Sequence, residues 1–262
     1  MENLLRTAVN LNMKFNHKVC VLTGGAAGIG RCLAESFCAE GARVYAIDKD
    51  PAPSSSAGIR YYQGNISEQA VIDAFVDWVL QQEKHVDILV NNACLTKGGI
   101  LSGCTYEDFL YVQRVGVAAP FWLASRLKPY FAPRASIVNL SSTRAFQSQA
   151  DTESYSAAKG GITSLTHALA VSLSGIARVN SVAPGWIETA RFHTEAPIPS
   201  YSTADLQQHP SGRVGEPEDI VRAVFFLCDD RNSFVNGINL TVDGGMSHLM
   251  VYHNDEGWTL DR

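Results

Sequence analysis

Val19-Cys20-Val21-Leu22-Thr23-Gly24-Gly25-Ala26-Ala27-Gly28-Ile29-Gly30 runs from an unbroken apolar stretch into a glycine-rich turn. A short apolar run closed by glycines predicts a buried strand, and the amphipathic spacing over roughly Ile29–Glu40 predicts a helix behind it. Glycines at such a junction let the backbone approach a bound group closely. The first turn of the helix offers N–H groups that have no partner within the helix. The glycines fall as G-x-x-x-G-x-G, not as the better-known G-x-G-x-x-G. A plain tight turn is the alternative reading, but the strand–turn–helix context favours dinucleotide binding.

Working outward, the same alternation of short apolar runs and amphipathic stretches repeats about seven times. Strands are predicted at Val44–Ile47, Tyr61–Gln63, Ile88–Val90, Ile137–Leu140, Val179–Val182 and Ile238–Val242. Helices are predicted over roughly Glu68–Lys84, Tyr106–Lys128, Ser154–Leu173 and Glu216–Cys228. Strands alternating with helices in this way predict an α/β fold, a single-domain doubly wound parallel sheet with helices on both faces. Residues 1–16 carry no strand signal and read as a flexible leader to one domain over 17–262. The longest irregular stretch, about 187–215, has the length of a binding loop or lid.

Composition bounds the function. The 262 residues suffice for one sizeable core, and 46% hydrophobic with 18% charged residues is ordinary for a globular chain. A net charge of −5 gives no electrostatic case for nucleic acid or an anionic membrane. No apolar run reaches bilayer-spanning length. The six cysteines are scattered without a C-x-x-C pair and read as small hydrophobes in a reducing cytoplasm. No His, Cys and Asp cluster has metal-ligand spacing, so no metal is expected.

Tyr155-Ser156-Ala157-Ala158-Lys159 places a phenol and an ammonium four residues apart, on one face of a predicted helix. A cation beside a phenol favours its ionised form, and such a pair can exchange a proton with an alcohol near neutral pH. Ser141-Ser142 ends an apolar strand thirteen residues before the tyrosine. Asp48 ends the second strand, where a carboxylate can accept both ribose hydroxyls of an adenosine and repel a 2′-phosphate. That favours NAD over NADP; Lys49 softens the preference, whereas Ala27 puts no cation inside the glycine loop.

The ordered set Thr23-Gly24…Gly28-Ile29-Gly30, Asn91-Asn92-Ala93, Ser142, Tyr155-x-x-x-Lys159, Pro184-Gly185 with Thr189, and Asp243-Gly244-Gly245 resembles the short-chain dehydrogenase/reductase family from about Lys18 to Gly245. The resemblance implies an oxidoreductase that interconverts a secondary alcohol and a ketone. Tyr155 would act as acid/base, Lys159 would support it and hold the nicotinamide ribose, and Ser142 would bond the reacting oxygen. The cofactor site would comprise Gly24, Gly28, Ile29, Gly30, Asp48, Asn65, Ile66, Asn91, Ala93, Pro184, Gly185, Ile187 and Thr189, together with Tyr155 and Lys159. A homotetramer would pack the helices about Tyr106–Lys128 and Ser154–Leu173 against their copies. Two other readings stand beside this one: a cofactor-binding protein with weakened catalysis, serving as sensor or inactive partner, and an NADP-linked 3-oxoacyl carrier-protein reductase.

Three positions depart from the family pattern. Cys94 stands where the family has Gly, and Asn65 where it has Asp. Gly116 stands where the family's fourth catalytic residue, an Asn, is expected. A helix-interior Gly costs about 1 kcal/mol relative to Ala, so its position calls for a reason. One expectation is that the vacated space holds ordered water near Lys159; the other is that the helix is irregular and Gln113 or Arg114 turns inward. Arg144 and Glu153 flank Ser142 and Tyr155 in sequence and read either as contacts to a polar substrate or as solvated surface charge, and Trp186, after the Pro-Gly turn, reads as a roof to the substrate pocket. Phe192, His193 and Tyr201 fall in the long loop.

Overall fold

The computed structural model describes residues 13–53, 58–193, 197, 199–250 and 252. Seven strands, β1 (Val19–Thr23), β2 (Arg43–Asp48), β3 (Ile59–Gln63), β4 (Val86–Asn91), β5 (Phe131–Leu140), β6 (Ala177–Pro184) and β7 (Asn239–Val242), form one sheet in the order β3-β2-β1-β4-β5-β6-β7. All pairings are parallel. The helices are α1 (Gly28–Ala39), α2 (Gln69–Leu80), α3 (Tyr106–Gln113), α4 (Ala119–Leu127), α5 (Glu153–Ser172), α6 (Thr203–Gln207) and α7 (Pro217–Cys228).

The strands read as continuous apolar runs because both sheet faces are covered. Alternate residues still go to opposite sides. Val19, Val21, Tyr45, Ile47, Leu89 and Ile137 pack with Phe75 of α2, Leu123 of α4 and Leu169 of α5. Cys20, Leu22, Val44, Ala46, Val90 and Val138 pack on the other face with Leu33 and Phe37 of α1 and with Ile220 and Val224 of α7. A one-residue slip of any inner strand would exchange these two sets.

The order reverses direction at β1, with β2 on one side and β4 on the other, which opens a crevice beyond the carboxyl ends of these strands. Within the sheet, Asn91 Nδ2 donates to Asn139 Oδ1 at 2.8 Å, and Asn139 Nδ2 donates to Thr166 Oγ1 at 2.9 Å. This buried polar chain ties β4 to β5 and β5 to α5.

The expected leader is corrected at its end. Residues 1–12 lie outside the described residues, but Phe15 is buried between Phe37 and Phe225, with ring centroids 4.9 and 4.7 Å away. The Lys14 N–H donates to Glu40 at 2.9 Å. A large aromatic side chain that fills the gap between α1 and α7 cannot belong to a flexible tail.

The predicted helix Tyr106–Lys128 is likewise not uniform. Between α3 and α4, Arg114–Ala118 form a π-turn. Its wider ring displaces the residues that follow by part of a turn relative to an α-helix.

Candidate active site

The crevice holds two adjoining cavities. One, of about 520 Å³, is lined by the glycine turn, the ends of β2 and β4, and the start of the long loop. Gly24 (φ +73°) and Gly28 (φ +57°) adopt backbone angles that side-chain-bearing residues avoid. A Cβ on Gly30 would fall 1.8 Å from the Gly24 carbonyl, so the turn closes only with glycine there. Asn92 clamps the same turn: its Nδ2 donates to the Thr23 and Gly24 carbonyls at 3.1 and 3.0 Å. At the head of α1, Ala27 has no side chain to cap the helix, and the first turn contains no acid. Its free N–H groups and positive dipole end suit an anion such as a pyrophosphate.

At the far end of this cavity, Asp48 accepts the Ala26 N–H through Oδ2 at 2.9 Å and the Asp50 N–H through Oδ1 at 3.1 Å. Asn65 and Ile66 form the neighbouring wall. Asn65 Oδ1 accepts from the Ser67 N–H at 3.1 Å and from the Tyr111 hydroxyl at 3.3 Å. At the near end stand Ser142, Tyr155, Lys159, Pro184, Gly185, Ile187 and Thr189. Gly185 packs so closely that a Cβ would meet Asp243 at 2.6 Å. Asp243 in turn accepts N–H groups from Gly245 and Ser247 at 2.9 and 2.8 Å. Thus the Asp243-Gly244-Gly245 turn braces the Pro184-Gly185 turn from behind.

The second cavity, about 1350 Å³, opens from Ser142 and Tyr155 toward Thr96, Arg144, Gln147, Gln149, Trp186 and Met246. Ser142 and Tyr155 line both cavities and mark the boundary between them. Ser142 Oγ accepts the Arg144 N–H at 3.1 Å, which leaves its own O–H to donate to a bound oxygen. Lys159 is buried; its Nζ donates to the Leu140 carbonyl at 2.6 Å and lies 5.3 Å from the centre of the Tyr155 ring. Ser141 is turned away and bonds the Lys159 carbonyl at 3.2 Å, fixing α5 against the end of β5.

Of the expected cofactor residues, Asn91 alone does not reach the cavity wall. It belongs to the buried chain to Asn139, and Asn92 takes the place expected of it. The parallel strand dictates this, because successive side chains point to opposite sides and only the residue beyond the strand end is free to face the crevice. His193 falls in the long loop by sequence; in the structure its ring lines the cavity, Nε2 lies 3.2 Å from Thr189 Oγ1, and it approaches Gly28.

The long loop is closed at its base by a parallel bridge between Ile187 and Gly215. Within it, Tyr201 packs edge-on against Trp186 and donates to Glu188 at 2.6 Å. That bond is the main reason the Glu188 carboxyl lies below the usual range. Loss of water and the same bond push the Tyr201 phenol up to about 12. Glu153 turns from the cavity toward the Ile100 N–H at 3.4 Å.

Gly116 lies in the π-turn, and the expectation of ordered water in its vacated space is overturned. A Cβ there would stand 2.9 Å from Ala158 Cβ and 3.4 Å from Cys94 Sγ, so neighbouring side chains already fill the space. Gln113 does turn inward, donating to the Ser154 carbonyl at 2.9 Å, whereas Arg114 turns outward to Glu107. Cys94 is part of this packing as well as of the cavity wall.

Residues 24–247 match a family model described as enoyl-(acyl carrier protein) reductase. An uncharacterised oxidoreductase of Thermotoga maritima is 37% identical over 90% of this chain and 98% of its own length. A 3-oxoacyl-[acyl-carrier-protein] reductase of the same organism is 34% identical over 89% of this chain and 99% of its own. Among solved structures, an apo SCOR enzyme from Clostridium thermocellum superposes with a TM-score of 0.85 at 38% identity, covering 94% of this chain and 99% of that one. The ligand-free aldohexose dehydrogenase of Thermoplasma acidophilum reaches 0.83 at 26% identity, covering 93% and 99%.

Proposed function

Because this chain belongs to the short-chain dehydrogenase/reductase family of oxidoreductases, we propose that it interconverts a secondary alcohol and a ketone with NAD(H), with Ser142, Tyr155 and Lys159 as its catalytic residues. The observation that carries this reading is the position of Ser142 and Tyr155 on the boundary between the two cavities. A dinucleotide fits the smaller cavity by its chemistry, with uncapped helix N–H groups for the pyrophosphate and a fixed carboxylate for the ribose hydroxyls. When bound, the nicotinamide ring supplies the hydride exchange.

The protein's own part is proton transfer and orientation. In oxidation, Tyr155 takes the substrate's hydroxyl proton at its phenolic oxygen; in reduction it returns one. The Ser142 O–H, left free by the Arg144 backbone bond, donates to the same substrate oxygen and stabilises charge that develops there. The Lys159 ammonium, 5.3 Å from the centre of the Tyr155 ring, gives the proton transfer a fixed positive neighbour. Thr189 and the Ile187 backbone, both in the cavity wall, would hold the carboxamide of the bound cofactor. The chain from Lys14 onward serves as one catalytic domain, with 187–215 as its substrate loop. A cytoplasmic location belongs to this reading, supported by six free thiols.

Tyr155→Phe tests the assignment. Turnover of a responsive alcohol should fall by about 10²-fold or more, while the Kd for NADH, read by fluorescence, stays within a factor of about two. A variant that retained near wild-type kcat would remove Tyr155 from the mechanism. Intact NADH binding without turnover of any alcohol in the wild type would favour the cofactor-sensor reading.

A further inference from the structure

Arg144 lies two residues beyond Ser142, half-buried, in the wall of the larger cavity. Most of the described arginines meet a carboxylate, as Arg43 meets Glu83 and Arg213 meets Asp219. Arg144 meets none among the described residues. Its side-chain bond goes to the neutral Gln149 amide oxygen, which leaves most of its five N–H donors to serve something else.

The nearby acids are engaged elsewhere. Asp151, which shares the cavity wall, accepts the Leu101 and Ser102 N–H groups at Oδ1, each at 2.9 Å. Glu153 is held by the Ile100 N–H. A partly desolvated guanidinium with no counter-ion is costly unless an anion joins it. Its planar fork matches a carboxylate through two parallel bonds. The backbone N–H of Arg144 donates to Ser142 Oγ at 3.1 Å, so the residue that carries the cation starts beside the atom that would bond the reacting oxygen, and its guanidinium is held on the same cavity wall by Gln149. Trp186, Met246 and Leu249 line the same cavity and offer apolar surface for a carbon skeleton.

We propose that Arg144 is the substrate anchor and that the substrate is a hydroxy acid or its oxo acid, its carboxylate held by the guanidinium while its carbinol carbon lies at Tyr155. This rests on the alcohol–ketone reading above and narrows it to an anionic substrate. It also excludes acyl chains whose carboxyl is tied up as a thioester.

The test uses the cofactor-loaded protein with short 2- and 3-hydroxy acids, their methyl esters, and phosphate monoesters of matched alcohols. Binding is followed by calorimetry and turnover by NADH absorbance. At least one acid should bind and react about tenfold or more better than its ester, the range expected for a charge-assisted pair. Arg144→Gln should raise the KM for that acid about tenfold or more and erase the preference over the ester, with the Kd for NADH unchanged as the check on folding. Arg144→Lys should restore part of the loss.

Esters binding as well as acids, or an Arg144→Gln variant with unaltered KM, would overturn the anchor. Preference for phosphate monoesters would overturn the carboxylate. Failure of NADH itself to bind would instead refute the parent reading, and acid-over-ester binding without turnover would keep the anchor while removing the catalysis.

Discussion

Asp48 accepts backbone N–H groups at both carboxylate oxygens, from Ala26 and Asp50, and so stays fixed at the end of β2 in the wall of the smaller cavity. A 2′-phosphate entering there would meet a carboxylate that cannot swing away. NAD(H) should therefore bind about tenfold or more tightly than NADP(H) at low salt, and the gap should narrow as salt screens the repulsion. Fluorescence titration of both cofactors at two ionic strengths checks this; equal or tighter NADPH binding would reverse the assignment and favour the carrier-protein reductase reading. At this scale the sequence is legible where a side chain's chemistry coincides with a marked place in the chain, a strand end for Asp48 and Ser142 and one helix face for Tyr155 and Lys159, and all four line the smaller cavity. It was misleading at Asn91, because adjacent asparagines look alike until the pleat sends one inward to Asn139 and the other to the glycine turn. Gln147 and Gln149 carried no signal, since neutral amides on a surface loop are commonplace and only the folded wall gives them a neighbour.

The π-turn at Arg114–Ala118 and α5 meet at Gly116, where a methyl group would collide with Ala158 Cβ at 2.9 Å. Helix propensity alone says that Gly116→Ala should stabilise by about 1 kcal/mol. Overpacking between two helix backbones costs about 1–3 kcal/mol, and Ala158, fully buried, has no flexible end that can give. The net expectation is a loss of about 1 kcal/mol, read as a fall in melting temperature of roughly 2–4 °C. The paired variant with Ala158→Gly should recover most of the packing loss; stabilisation by Gly116→Ala alone would show that the helices can part. Element positions were largely legible, because inner strands such as β1 and β4 are unbroken apolar runs and α1 follows its glycine turn. The irregular elements were not. A π-turn has no residue signature apart from a glycine set inside a helical pattern, and Phe15 docks through tertiary contacts made far along the chain.

Across the whole molecule, large apolar side chains remain exposed on the helices expected to meet their copies: Tyr106 on α3, Phe121 on α4 and Val171 on α5. A symmetric contact between copies would bury them. Light scattering should give about four times the 28.4 kDa chain mass, and Phe121→Glu should shift that mass downward; a wild-type monomer at micromolar concentration would refute the tetramer. Among the described residues no helix is long and apolar enough to cross a membrane. The strand order has one more consequence, for how the molecule comes into being. β1 is made first and lies near the middle; β2 and then β3 extend one side, and β4 to β7 extend the other. Every newly synthesised strand therefore finds an open edge waiting, and none has to pry apart a pair already joined. A chain leaving the ribosome can assemble this sheet by accretion, yet the crevice gains its last wall only when β6 and the turn after β7 arrive, so partly made chains should be compact well before they can bind anything.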